Sequence, residues 1–304
     1  MIKLMRKGLA LGLLSLATGC QVGDPASAPP ISQAACEAQA GFAFVAGGEF
    51  IAGSDRAERD YAYQISAEGY ADSPEQISKA EAGYRAQGWF DREPERQIID
   101  LPAFCLSQNL IANEEYQAFV QATGHRVPDI SAADYQAQGF LVHDYSEVVP
   151  YLWQNRQYPD GQAQHPVVLV SYEDALAYIE WRSQQDEATY RLPSVQEWEK
   201  AARGTDGRYF PWGSDWRDEG TNWAKNGPMG TSAIAAFPTS RSPYGIEDMA
   251  GNVFEYTSTL TDDSEVVLKG CGWDDYPGFC RAAYQHDRPI DSRHILFGFR
   301  LVVE

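Results

Sequence analysis

The chain has few basic residues. Its 304 residues include 24 Lys and Arg against 43 Asp and Glu, so the formal net charge is −19. Because phosphate binding needs clustered positive charge, this composition predicts no nucleic-acid partner. Hydrophobic residues, in contrast, make up 44% of the chain and aromatic residues 12%, which is ample for a sizeable core. The composition therefore predicts a globular, anionic protein.

The apolar run at the N-terminus is too short for a membrane-spanning helix. Three basic residues precede this run at 8–17, and small residues follow it up to Cys20, a layout typical of an export signal. Leu16-Ala-Thr-Gly-Cys20 resembles the lipobox of bacterial lipoproteins. We therefore expect a signal peptide at 1–19 and a mature chain anchored in the bacterial cell envelope through lipidated Cys20. Gln21 favours the outer membrane, facing the periplasm, by analogy with enteric lipoproteins.

Cysteine is also scarce, with five residues in the chain. If Cys20 carries a lipid, four cysteines remain in a compartment that permits disulfides. Three connectivities are possible, and the pairing closest in sequence joins Cys36 to Cys105 and Cys271 to Cys280.

The domain organisation follows from composition. Residues 20–35 are rich in Pro, Ala and Ser without hydrophobic periodicity, as expected of a flexible tether. A single folded domain is expected at 36–304. Within it, residues 55–97 are charged and tyrosine-rich, with one predicted helix at about 74–87. This segment is interpreted as an insertion, either a surface excursion or a lid.

Local patterns predict strands in three places. Apolar residues alternate around a Gly-Gly pair at 42–54, which indicates a β-hairpin. Residues 98–106 and 165–171 are short apolar runs and are predicted to be strands.

Helix starts are marked by capping residues. Asn113 is predicted to cap one helix. Ser171 with Asp174, and Ser194 with Glu197, have the spacing of capping boxes and predict two more.

The segment 247–257 reads as a turn that leads into a strand, with Asp248 and Glu255 on either side of the turn. Two carboxylates and the carbonyl groups of a tight glycine loop offer the oxygen ligands that Ca²⁺ prefers. The alternative is two solvated acids beside a turn.

Several ordered motifs resemble the formylglycine-generating enzyme family, also called sulfatase-modifying factors. Residues 248–256 resemble the signature D-x-x-G-N-V-W-E-W, residues 190–204 resemble R-L-P-T-E-A-E-W-E-x-A-A-R-G, and residues 298–300 match the terminal G-F-R. The resemblance implies an α+β fold: one domain related to the C-type lectin-like fold, with much irregular structure.

The resemblance also implies a calcium site. Its ligands would be the side chains of Asp248 and Glu255 and the carbonyl groups of Gly251 and Val253. The family's other calcium site is in doubt, because Asn222 is present but the downstream D-x-F ligands are missing.

The founding enzymes of the family oxidise a cysteine of exported sulfatases to formylglycine, using O₂ and copper held by two cysteines. A soft cysteine pair suits Cu(I). The family segment K-G-G-S-x-x-C-x-x-x-x-C aligns with 269–280, which places Asp275 at the first copper cysteine and Cys280 at the second. Cys271 lies nine positions before Cys280, so the two either form a disulfide or act as thiolate ligands.

Iron enzymes that contain such a domain carry a histidine motif, H-x-x-x-E-H, which this sequence lacks. A metal site could still be built from His286, Asp287, Asp291 and His294. Loop histidines beside acids are more often surface hydrogen-bonding groups.

Two functions therefore remain. One is an anchored binding or accessory protein with a diverged active site, with an unknown protein or peptide as its partner. The alternative is a copper-dependent oxidase that converts a cysteine of an exported, sulfatase-like protein to formylglycine, with Cys280 and Cys271 as its catalytic residues.

Overall fold

The computed structural model describes residues 30–139, 142–261 and 265–304. The predicted signal peptide, Cys20 and most of the tether lie outside these residues. The described part contains eight α-helices: α1 Gln33–Glu37, α2 Arg56–Tyr70, α3 Pro74–Gln87, α4 Asn113–Thr123, α5 Ala132–Ala137, α6 Tyr145–Val148, α7 Tyr172–Asp186 and α8 Val195–Arg203. None of these helices is long and apolar enough to cross a membrane.

The same residues contain ten strands: β1 Phe42–Val45, β2 Gly48–Ala52, β3 Gln97–Leu101, β4 Phe104–Ser107, β5 Tyr190–Arg191, β6 Phe254–Leu260, β7 Glu265–Gly270, β8 Gln285–Pro289, β9 Phe297–Gly298 and β10 Val302–Val303. They form three sheets, with the orders β1-β4-β10-β5, β2-β3 and β8-β7-β6-β9. Strands β6 and β9 are parallel, and the other neighbours are antiparallel. The architecture confirms the α+β prediction.

The hairpin predicted at 42–54 is wrong. Strand β1 pairs with β4, with Phe42 opposite Ser107, whereas β2 pairs with β3, with Gly48 opposite Leu101. Gly48 has φ +118, a conformation that favours glycine, and it lies where the chain passes from one sheet to the next. The single strand predicted at 98–106 is likewise two strands, because Pro102 between them has no N–H to donate.

The strand predicted at 165–171 is also wrong. The segment is extended, but its backbone bonds to separate partners: Val167 N–H donates to the Ile111 carbonyl at 2.9 Å, and Leu169 N–H to the His294 carbonyl at 3.0 Å. Leu169 has φ +60, which is outside the β region and interrupts a ladder.

Both predicted capping boxes are confirmed, at α7 and α8. At α8, Glu197 N–H donates to Ser194 Oγ at 3.2 Å, and Ser194 N–H donates to the Glu197 carboxylate at 2.8 Å. Helix α4 differs from the prediction, because its N-cap is Ala112 and Asn113 is its first helical residue.

The insertion contains two helices. Helix α3 was predicted, whereas α2 was not, and α2 is part of the core, since Ala62 and Tyr63 are buried. The segment Pro277–Cys280 packs closely against α2 at Gly278. A Cβ at Gly278 would lie 2.3 Å from Ser66 Oγ and 2.4 Å from the Ala62 carbonyl oxygen, so only glycine fits. Helix α2 is therefore part of the core, whereas α3 has no buried residue and lies at the surface.

Buried ion pairs connect the insertion to the rest of the domain. Glu58 of α2 lies 3.2 Å from Arg203 of α8 and 3.1 Å from Arg281, and Arg281 also pairs with Glu93. Burial raises the pKa of Glu58, although both arginines oppose the rise. Because a buried charge is costly without a partner, these pairs favour one position of α2 on the domain.

Candidate functional site

A disulfide closes the loop that aligns with the family's copper segment. Cys271 and Cys280 are bonded with an S–S distance of 2.01 Å, and both are buried. Cys36 and Cys105 form a second disulfide. Both predicted pairings are confirmed. A sulfur in a disulfide is not a thiolate, so in this state neither Cys271 nor Cys280 is a copper ligand.

Inside this loop, the carboxyl groups of Asp274 and Asp275 lie close to Gly272. Asp275 Oδ2 accepts a hydrogen bond from Gly272 N–H at 2.8 Å. A Cβ at Gly272 would lie 2.7 Å from Asp274 Oδ1 and 3.4 Å from Asp275 Oδ2. The absence of a side chain at 272 therefore lets both carboxyl groups occupy the same side of the loop.

His143, which is distant in sequence, forms a hydrogen bond with the carboxylate of Asp274. His143 Nε2 lies 2.9 Å from Asp274 Oδ2, and His143 Nδ1 lies 2.9 Å from Glu147 Oε2. Burial lowers the pKa of His143, but the hydrogen bonds to Asp274 and Glu147 outweigh it, and the net shift is upward. The arrangement favours an imidazolium between two carboxylates.

The carboxyl pair lines a cavity of about 320 Å³ between the insertion and the C-terminal sheet. Its lining is largely aromatic and includes Tyr84, Trp89, Tyr276, Phe279, Tyr284 and His286, and Arg288 also lines it. Phe279 contacts Tyr84, Trp89 and Tyr284 with ring centroids 6.0, 5.7 and 5.2 Å apart. A second cavity of about 390 Å³ shares Trp89 and His286 with the first. The insertion thus forms one wall of a ligand-sized space.

The pKa values of three groups in the cavity, Asp275, His286 and His294, are shifted toward their neutral forms. Burial and the adjacent charge of Asp274 raise the pKa of Asp275 well above its usual range. Burial, together with nearby cationic groups, lowers the pKa of His286 to about 3 and that of His294 to about 3. At neutral pH, both imidazoles are therefore neutral, and burial favours the protonated form of Asp275.

The four residues considered as a second metal site are not gathered together. His286 and His294 line the cavity, whereas Asp287 and Asp291 are exposed. Over the described ranges, no group of three or more His, Cys, Asp or Glu side chains is placed to hold a metal ion.

The predicted calcium loop fits a cation only in part. Asp248 is buried, its Oδ2 accepts from Ala235 N–H at 2.8 Å, and burial raises its pKa to about 6. Glu255, however, accepts hydrogen bonds from Arg300 on both oxygens, at 2.5 and 2.7 Å. The Gly251 carbonyl accepts from the N–H of Val253 at 3.0 Å. Because Arg300 already neutralises Glu255, calcium binding here remains a prediction.

Sequence reasoning missed His143, Tyr84 and Trp89. The tyrosine-rich composition of the insertion is a weak signal for the two aromatic residues. For His143 there is no signal, because it reaches Asp274 across 131 positions of sequence.

Together, the fold and the cavity define a class: a disulfide-bonded α+β domain with a largely aromatic cavity that contains a carboxyl pair and no copper-binding thiol pair. The family model described as sulfatase-modifying factor enzyme 1-like domain matches residues 28–304, and the chain belongs to this family.

Comparisons with individual proteins agree with this assignment. The chain is 25% identical to the formylglycine-generating enzyme of Mus musculus over 316 residues, covering 83% of this chain and 82% of the mouse protein. It is 40% identical over 124 residues to the inactive C-alpha-formylglycine-generating enzyme 2 of Bos taurus, covering 36% of this chain and 39% of that protein. The structure of PvdO from Pseudomonas aeruginosa superposes with a TM-score of 0.62 and 22% identity, covering 86% of this chain and 94% of PvdO. The likeness to PvdO supports the fold alone.

Proposed function

We propose that this protein is an envelope lipoprotein, anchored through Cys20, whose domain is a binding or accessory protein with its ligand site in the cavity beside α3. The observation that carries the proposal is the disulfide between Cys271 and Cys280. The disulfide leaves no thiolate at Cys280. Asp275 occupies the aligned place of the other copper cysteine, and a carboxylate is a hard ligand poorly matched to Cu(I).

The cavity has the properties of a binding site. Small-molecule sites commonly have volumes of roughly 300–1,000 Å³, apolar walls and a few polar groups that fix orientation. The cavity, of about 320 Å³, meets this description, with aromatic walls and two carboxyl groups. A fold also survives the loss of a catalytic ligand more readily than catalysis does. The bovine relative, which is named as inactive, is in keeping with this.

The alternative function is the copper-dependent oxidase. What favours it is the similarity to the mouse formylglycine-generating enzyme, which covers most of both chains. In that case Cys271 and Cys280 would have to be reduced before they could bind copper.

Copper and thiol measurements on the mature protein separate the two functions. We expect no free thiols under denaturation, a Cys271–Cys280 crosslink in peptide mapping without reduction, and no copper-dependent oxygen consumption with a cysteine-containing sulfatase peptide. The double variant Cys271→Ala, Asp275→Cys is the positive control for copper binding under reducing conditions, because it restores two cysteines five positions apart. Tight binding of one Cu(I) by the unaltered protein with turnover of the peptide would overturn the proposal.

The anchor is tested separately by mass spectrometry of the mature N-terminus. We expect an acylated Cys20 and a protein that fractionates with the outer membrane. An intact Met1, or cleavage after Ala28 without lipid, would refute the anchor while leaving the cavity unaffected.

A further inference from the structure

We propose that the cavity binds a primary ammonium group on an apolar stem, as in a lysine side chain or a free alkylamine, with Asp275 as the carboxylate partner. The inference rests on the proposed function, because it names the ligand class of the same cavity. Its two supports are the aromatic walls and the incomplete hydrogen bonding of the carboxyl pair.

The walls suit an organic cation. A cation over the face of a Tyr or Trp ring is attracted by the ring quadrupole, and the attraction grows when water is excluded. Tyr84 and Tyr284 lie close enough to Asp275 for its charge to raise their pKa values, although burial is the larger cause for both. Tyr276 and Trp89 complete the surrounding rings. A ligand charge beside Asp275 would therefore lie among several aromatic side chains.

The carboxyl pair has unused acceptor capacity. Asp275 accepts the N–H of Gly272, and no Lys, Arg or His among the described residues forms an ion pair with it. Asp274 is bound to His143 through Oδ2, whereas its buried Oδ1 has no hydrogen-bond partner in the described part of the chain. A primary ammonium group carries three N–H donors, whereas a quaternary ammonium group has none. Unused acceptors therefore favour a primary amine.

The charges that face Asp275 are those of Asp274, His143 and Arg288. The nearby Tyr84 and Tyr284 have raised pKa values, and His286 has a lowered one, so all three are neutral at pH 7. Burial and the adjacent charge of Asp274 raise the pKa of Asp275. An ammonium ion beside Asp275 favours its ionised form, so affinity increases as the pH rises toward the pKa of the carboxyl group in the empty cavity, and protons are released on binding below that pKa.

Titration calorimetry on the full-length mature protein tests the proposal. The probes are n-butylammonium and Nα-acetyl-lysine amide, compared with the neutral alcohol 1-pentanol and with tetramethylammonium. We expect both primary amines to bind at least about tenfold more tightly than 1-pentanol and tetramethylammonium, in line with the strength of charged hydrogen bonds. Proton release, measured in buffers of different ionisation enthalpy, should accompany binding. Stronger binding of the lysine amide than of butylammonium would assign the natural source to a peptide, and equal binding would assign it to a free amine.

Two variants distinguish the contribution of the Asp275 carboxylate to amine binding from that of the aromatic rings. Asp275→Asn should weaken amine binding at least about tenfold and abolish proton release, whereas Tyr84→Leu should weaken binding but keep proton release. Asp72→Asn is the matched control, since Asp72 is an exposed carboxylate that pairs with Lys225 outside the cavity. Thermal melts establish that each variant is folded. Equal affinity for butylammonium and 1-pentanol, no binding of either amine, or an Asp275→Asn variant that binds normally would overturn this inference. None of these results would alter the thiol and copper results that test the proposed function.

Discussion

Two acidic loops of this domain satisfy their carboxylates in different ways. In the loop that ends at Glu255, the carboxylate accepts two hydrogen bonds from Arg300, and both side chains are fully buried. In the loop closed by the Cys271–Cys280 disulfide, Asp275 accepts one backbone N–H and lies at the wall of a cavity.

The difference shows how a buried acid becomes structural or available to a ligand. A buried charge is strongly unfavourable unless it is paired and hydrogen-bonded. Glu255 has its counter-ion within the chain, so its charge supports the fold. Asp275 forms no ion pair among the described residues, and burial raises its pKa, which leaves its carboxyl group able to accept a cationic partner.

The largest expected effect is on Glu255. The variant Glu255→Gln leaves the buried Arg300 without its counter-ion, and we expect a loss of about 3–5 kcal/mol in the free energy of unfolding. Urea unfolding at neutral pH measures this loss. Asp275→Asn is the comparison, and we expect it to change stability by less than about 1 kcal/mol, because the amide oxygen of Asn can keep the hydrogen bond from Gly272 N–H. Similar losses in both variants would remove the contrast between the loops.

Calcium would sharpen the comparison, because it would add a second cation to the loop of Glu255. If Asp248, Glu255 and the carbonyl groups of Gly251 and Val253 bind Ca²⁺, a hundredfold excess over the dissociation constant stabilises the protein by about 2.7 kcal/mol. Thermal melts with calcium and with chelator measure the shift. Asp248→Ala should abolish it, while an unchanged melt in chelator would leave Arg300 as the partner of Glu255 and end the calcium prediction.

Removing the disulfide of the second loop should have a somewhat smaller effect. Cys271 and Cys280 close a loop with a sequence separation of 9 residues. The chain-entropy relation for a loop of this size predicts that Cys271→Ala with Cys280→Ala lowers stability by about 2–3 kcal/mol. Chemical unfolding measures this change, with the single variant Asp72→Asn as an unaffected reference. Unchanged stability would mean that packing against α2 alone holds the loop.

The smallest effect concerns His143 and depends on pH. Its pKa is raised in the folded protein, because hydrogen bonds to Asp274 and Glu147 outweigh burial. The stabilisation is therefore fully present below the unfolded pKa of about 6.5 and disappears as the pH rises through the folded value. We expect His143→Gln to be less stable than the unaltered protein by about 1.5 kcal/mol at pH 6 and by less at pH 9. A difference that grows with pH would contradict the assignment.

Local features of the fold could be predicted from the sequence. The capping boxes at α7 and α8 depend on hydrogen bonds between residues three positions apart, so Ser194 and Glu197 carry the information themselves. The family resemblance was also accessible, because it follows from ordered motifs, and the sequence-local pairing proved to be the correct one of the three possible disulfide connectivities. The hairpin at 42–54 failed for the opposite reason: the partner of β1 is β4, more than fifty positions away.

The sequence by itself determined the family, the α+β class, the ordered motifs and the replacement of a copper cysteine by Asp275, because each can be recognised from residues that are close together in the chain. Only the tertiary structure decided which acids are neutralised and which face a cavity. His143 contacts Asp274 across 131 positions of sequence, and Arg300 contacts Glu255 across 45. Tyr84 and Trp89 line the same cavity as the carboxyl pair. The physical reason is that the charge state of a buried carboxyl group depends on its desolvation and on its neighbours in space, and neither can be read from its neighbours in the chain.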